Sequence, residues 1–205
     1  IMGGEYARHD GESQAVAQAI REQYLPKAIE GALPTTVAGR VLSLADRLDS
    51  IAAFFHVGIV PTGSEDPFAL RRHATAVVRI VLEANTRIDL GTYVDQAMNL
   101  VSKDGFKGVP GFEHEGRRRI TDFVFERVRH YVRIVHALRD DVIEAVLKSA
   151  HGKTVDLVDL VLKMKALETV TTRAEFDPLI VGFKRAHRLV EKEQWTREPV
   201  EATRF

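Results

Sequence analysis

Two sets of side chains in this sequence have types and spacings suited to chemistry. The first pairs imidazole with carboxylate: His9 and Asp10 are adjacent, and Asp46 and Asp49 stand one helical turn apart. Such a set, spread over several helices, is the donor chemistry that holds a transition-metal ion. The second is cationic. Arg71 and Arg72 begin a helix beside one Gly-containing loop, and Arg117, Arg118 and Arg119 follow another, with Arg127 further along. Arginine binds phosphate bidentately and stacks on unpaired bases, which is the chemistry of RNA contact.

Each set has a plainer reading. HD-type phosphohydrolases hold a divalent metal through a scattered His, His-Asp, Asp set, but here His9-Asp10 runs into Gly11 rather than into a helix, and no histidine precedes it. Asp46 or Asp49 would then pair with a buried arginine or cap a nearby backbone. The other histidines, His56, His73, His114, His130, His136, His151 and His187, show no ligand spacing. The expectation is therefore no metal. The arginines could equally form a solvated face paired with Asp122, Glu126 or Glu83, each pair contributing only tenths of a kcal/mol. No HExxH, GxSxG or GxxxxGK[ST] motif is present.

The stretch from Pro34 to Arg79 must position most of these groups. Thr35 or Thr36 can cap a helix on which Val37, Val41, Leu44, Leu48, Ile51 and Phe55 recur at steps of four and three. That spacing predicts one buried face, with Asp46 and Asp49 off it. Gly58, Pro61 and Thr62-Gly63-Ser64 end the helix in turn chemistry. Asp66-Pro67 predicts a restart, with Asp66 as cap and Pro67 in the first turn. Leu70, Ala74, Val77, Val78 and Val81 are the expected buried side of that second helix, opposite Arg72 and Arg79.

Elsewhere Met2 to Glu12 reads as a short Gly-bracketed segment, and Ser13 as the cap of a helix striped by Val16, Ile20 and Tyr24. Thr92 to Val101 predicts a short helix. Four glycines and a proline between Lys103 and Gly116 mark a long loop or boundary. Ile120, Phe123, Val124, Val128 and Tyr131 predict an amphipathic basic helix. Asp140 or Asp141 starts the next, with Val142, Ile143, Val146 and Leu147 inward, and Gly152 ends it. Thr154 is the expected cap of a helix bearing Leu157, Val158, Val161 and Leu162. A last helix, about Ala174 to Glu193, carries Phe176, Ile180, Phe183, His187 and Val190 on one side, and the tail from Trp195 to Phe205 reads as frayed. No strand pattern is visible, so the fold class is all-α.

These residues also carry a family resemblance. LADRLDS, PTGSEDPFALRR and VVRIVLE resemble the β subunit of bacterial heterotetrameric (α2β2) glycyl-tRNA synthetase, where a pattern like ALADKLDTL precedes PTGSKDPFALRRAA and a GVIRIL-like run. GEYARHDGE and AIREQYLPK upstream, and DDVIEAVL and FKRAHRLV downstream, are similar to it as well. The likeness is strong over residues 3–83, faint over 92–118, and visible again over 119–190. It implies an HD-like multi-helix domain over 1–102, a Gly-rich connector at 103–116, and a helical region at 117–205 that starts the anticodon-binding domain.

The resemblance further implies a non-catalytic role in positioning tRNA and holding the assembly. Partners would be the synthetase α subunit and glycine tRNA, with no membrane and no DNA. This piece would need no cofactor of its own; ATP and magnesium would belong to the α subunit. The tRNA-binding candidates are Arg71, Arg72, Arg117, Arg118, Arg119 and Arg127. His9, Asp10, Asp46 and Asp49 would be a vestigial HD-like set. The alternatives are a metal-dependent phosphohydrolase and a purely structural helical module.

Composition bounds these readings without deciding them. The chain has 205 residues, 45% apolar and 28% charged, with zero formal net charge, so any RNA contact must come from a local patch. There is no cysteine, which fits a reducing cytoplasm. No apolar run has transmembrane length. The chain opens Ile1-Met2, as an excised piece of a longer polypeptide would.

Overall fold

The computed structural model describes residues 2–63, 65–103, 105, 107–150 and 155–192. Among them are nine helices and no strand, so the fold is all-α as expected: α1 (Met2–His9), α2 (Gln14–Glu22), α3 (Val37–His56), α4 (Leu70–Glu83), α5 (Leu90–Lys103), α6 (Phe112–His136), α7 (Asp140–Ala150), α8 (Leu157–Thr171) and α9 (Phe176–Lys192). The chain divides into two compact units, Ile1–Met164 and Lys165–Phe205. The Gly-rich segment 103–116 falls within the first.

In the first unit α3 is the central element. It packs against α2, α4, α5 and α6. Thr36 caps it, its Oγ1 accepting from the Gly39 N–H at 3.0 Å. Leu48, Ile51 and Phe55 are buried as the spacing predicts. The N-terminal half differs: Val37 and Val41 are 74% and 61% exposed. That half turns Gly39, Ser43 and Arg47 inward instead. The segment it meets there, the α2–α3 connector, offers backbone carbonyls that want donors, so polar side chains displace the valines from the interior.

Two other expectations shift. Residues 2–9 form a helix, α1, packed on α2 and tied to it by an ion pair from Arg21 to Glu5. The buried side of α2 is Ala17, Ala19 and Glu22, while Val16 and Tyr24 are exposed. Small side chains let α2 lie close to both α1 and α3. The Ser13 cap is present, accepting from the Val16 N–H at 3.3 Å.

α4 starts at Leu70 rather than at Pro67. Ala69 rather than Asp66 takes the N-cap position, but the Asp66 carboxylate still accepts from the first-turn N–H groups of Leu70 and Arg71, at 2.8 and 3.0 Å. Ala69 between them holds a left-handed backbone, φ 57°. The turn so made stacks Phe68 on Phe54, ring centroids 4.3 Å apart. Leu70, Ala74, Val77, Val78 and Val81 are buried, as their spacing predicts.

The Gly-rich segment packs tightly where it meets α3. The Val109 N–H donates to the His56 carbonyl at 2.8 Å, and a Cβ on Gly108 would come within 2.5 Å of the His56 ring. α5 and α6 on either side of it pack on each other. In α6, Ile120, Val124, Val128 and Val132 form the buried stripe. Asp156 caps α8, accepting from the Val158 and Asp159 N–H groups at 2.9 and 3.1 Å. Gly152, Thr154 and the tail from Trp195 lie outside the described residues.

In the second unit, α9 matches the last expected helix. None of its residues is buried, and the Phe183 and His187 rings lie 5.8 Å apart.

Candidate nucleic-acid interface

The arginines proposed for RNA contact fall into three places. Arg117 and Arg118 line a groove between α6 and α7 with Glu126, Arg129, Glu144 and Lys148. Arg117 reaches back to α5, where it pairs with Asp95 at 2.8 Å and lies over Gly91. A Cβ at residue 91 would stand 2.2 Å from its Nη2, so the glycine makes the space. Arg118 is 83% exposed and only 3.7 Å from Asp122. Arg119 is half-buried, and no carboxylate among the described residues pairs with it.

Arg71 and Arg127 form the second place. Arg71 donates to the Gly63 and Glu65 carbonyls at 2.8 and 3.3 Å, bracing the turn before α4. Arg127 sits over the Phe123 ring at 5.9 Å, with its Nε buried and unpartnered. Burial pushes its guanidinium pKa down, Glu126 opposes that, and the Arg71 charge adds to the lowering. The two cations therefore share one field although they lie on different helices. Arg72 is turned away from both, into a cleft beside Asp46 and Arg47.

The other two arginines of α6 are already matched. Arg129 is held by Glu126 and by Glu144, which raise its pKa. Arg133 pairs with Asp140 at 2.5 Å. The basic segment is thus less available than its composition suggests, because α7 returns carboxylates to it.

The metal candidates are not brought together. His9 and Asp10 are 91% and 74% exposed, 3.7 Å apart at the end of α1. Asp46 accepts from the Gln23 side-chain amide at 3.2 Å, and Asp49 is exposed. The expected buried pair between Asp46 or Asp49 and an arginine is also not formed: Arg47 turns to backbone carbonyls instead. Among the described residues no three His, Cys, Asp or Glu side chains form a group able to hold a metal ion.

Sequence reading missed two buried charges. Glu22 is 3% exposed. Its carboxylate accepts from the Thr35 N–H and Oγ1 at 3.2 and 2.7 Å, from the Thr36 N–H and Oγ1 at 3.0 and 2.6 Å, and from Gln18 at 2.9 Å. Burial alone would raise its pKa; the bonds from Thr36, Thr35 and Gln18 outweigh that and hold it at about 2. Arg47, 6% exposed, donates to the carbonyls of Gln23, Tyr24 and Pro26 and to Ser43 Oγ. Together they fix both ends of the α2–α3 connector. The only sequence sign of Glu22 was its place in AIREQYLPK.

Comparison with known proteins bears on the family of the chain. A family model described as glycyl-tRNA synthetase beta subunit matches residues 1–148. The glycine–tRNA ligase beta subunit of Myxococcus xanthus is 42% identical over 195 residues, covering 94% of this chain and 27% of that protein. That of Citrifermentans bemidjiense is 39% identical over 191 residues, 93% of this chain and 26% of the relative. The Lactobacillus gasseri protein is 34% identical over 195 residues, 95% and 28%. The chain thus spans roughly a quarter of the length of these curated relatives. It belongs to the glycyl-tRNA synthetase beta-subunit family.

Proposed function

We propose that this chain is a non-catalytic part of a glycine–tRNA ligase beta subunit, which positions tRNA and holds the assembly with the alpha subunit. The observation that carries this is the family match over residues 1–148. The exposed Arg118, held only loosely by Asp122 at 3.7 Å, and the carboxylate-free Arg119 give it a contact surface, since cations that are exposed and weakly paired are the ones that can meet phosphate. Glycine activation, with ATP and magnesium, falls to the alpha subunit in this reading. The HD-like naming of residues 1–102 and a cytoplasmic location belong to the same proposal. No helix among the described residues is long and apolar enough to cross a membrane.

The test is binding of glycine tRNA to the chain across a range of salt. Phosphate contacts release counterions, so log affinity should fall linearly with log salt. No binding at low salt would favour a purely structural module.

A further inference from the structure

The cleft that holds Arg72 carries a separate message. It lies between α3 and the first turn of α4, holds about 550 Å³, and is lined by Tyr24, Lys27, Asp46, Arg47, Arg72 and His73 among others. That volume suits a small ligand. Asp46 belongs to the vestigial His/Asp set, yet its charged neighbours in the cleft are three cations, Lys27, Arg47 and Arg72. A divalent cation would be repelled there, and an anion attracted.

The floor is the buried Arg47. Its terminal nitrogens all bond to neutral acceptors, backbone carbonyls and Ser43 Oγ, and its Nε has no partner. A buried cation without a hydrogen-bonded carboxylate is costly and leaves its field unbalanced. Burial lowers its pKa, and only the through-space charge of Asp46 opposes that. His73 beside it is half-buried, with an unpartnered Nδ1. Burial, and then the Arg47 charge, push its pKa down, so it stays neutral at neutral pH. The rim is accessible: Arg72 and Lys27 are exposed, and no ion pair engages either among the described residues. Tyr24, 57% exposed, presents a ring at the same rim.

We propose that this cleft binds the phosphate of a nucleotide, with Arg72 and Lys27 on the phosphate and the Tyr24 ring against the base. An aromatic face beside paired cations is the arrangement that takes one unstacked nucleotide. The phosphate could come from RNA or from a free nucleotide. Of the residues put forward above for tRNA contact the cleft uses only Arg72, and it does not depend on the α6 arginines.

The experiment is calorimetric titration of the full chain with adenosine monophosphate, with adenosine, and with a short 5′-phosphorylated single-stranded RNA. Adenosine monophosphate should bind and adenosine should not. Arg72→Ala and Lys27→Ala should each weaken it about tenfold, as loss of a charge-assisted contact does, and Asp46→Asn should tighten it. Both arginine and lysine positions are exposed, so thermal midpoints should hold. RNA binding tighter than the mononucleotide assigns the phosphate to RNA; weaker binding assigns it to a free nucleotide. Equal binding of adenosine and its monophosphate, no binding of the monophosphate at millimolar concentration, or manganese uptake lost in Asp46→Asn would each overturn the proposal.

Discussion

The Glu22 carboxylate and the Gly39 backbone occupy one tight space: a Cβ on Gly39 would stand 2.0 Å from Glu22 Oε2 and 2.7 Å from its Cβ. Gly39 lies in the first turn of α3, next to the cap Thr36. Helix glycines usually gain about 0.5–1 kcal/mol on change to alanine. Here the sign should reverse. Gly39→Ala must push the carboxylate off its donors, and overpacking of this kind costs about 1–3 kcal/mol. Urea denaturation decides it: a stabilised variant would mean that the carboxylate can move aside freely.

The same carboxylate should make stability depend on pH. Its folded pKa is held at about 2, against 4.5 when free. A depressed carboxyl pKa stabilises the fold above the free value and loses that contribution as pH falls through the folded one. The window is therefore from about pH 5 down to about pH 2, and the loss is about 3 kcal/mol at about 1.36 kcal/mol per unit. Glu22→Gln should be weaker at neutral pH and flatter across that window. Parallel curves for the two proteins would assign the acid sensitivity to other groups.

What the sequence made legible follows from the range of each interaction. Leu48, Ile51, Phe55 and the buried side of α4 were readable because helical periodicity is a local property. The Thr36 cap and the Asp66 bonds to the first turn of α4 were readable for the same reason, acting within three to five residues. Glu22 was not, because its threonine donors lie 13 and 14 residues on, across a connector whose path no pattern declares. Val37 and Val41 misled because their spacing fits the apolar stripe while the partner at that end of α3 is polar. In the candidate interface, the arginine positions were plain, but their neutralisation by Asp95, Glu144 and Asp140 depends on how α5 and α7 pack against α6.

That contrast along α3 can be measured. Leu48→Ala removes a buried side chain from the central helix and should cost roughly 2–5 kcal/mol. Val41→Ala removes an exposed one and should change stability by less than about 0.5 kcal/mol. Equal losses would mean that Val41 is covered and that the N-terminal half of α3 faces the interior after all.

The last prediction concerns Arg117, Arg118 and Arg119. Their positive charge would act on the phosphate backbone, since no base-reading motif accompanies it. Changing all three to alanine in a reconstituted alpha–beta enzyme should weaken tRNA binding and flatten its dependence on salt, because fewer counterions are released. Arg118 and Arg119 should carry most of the effect, since Arg117 already serves Asp95 and packs over Gly91. Arg129 makes a useful contrast. Locked between Glu126 and Glu144, it should affect stability on change to alanine more than the salt dependence of binding. Glycine-dependent ATP–pyrophosphate exchange should survive the triple change if activation belongs to the other subunit. Unchanged tRNA affinity would return these arginines to the ordinary surface. Lost exchange in a folded protein would instead tie this face of α6 to support of the alpha subunit.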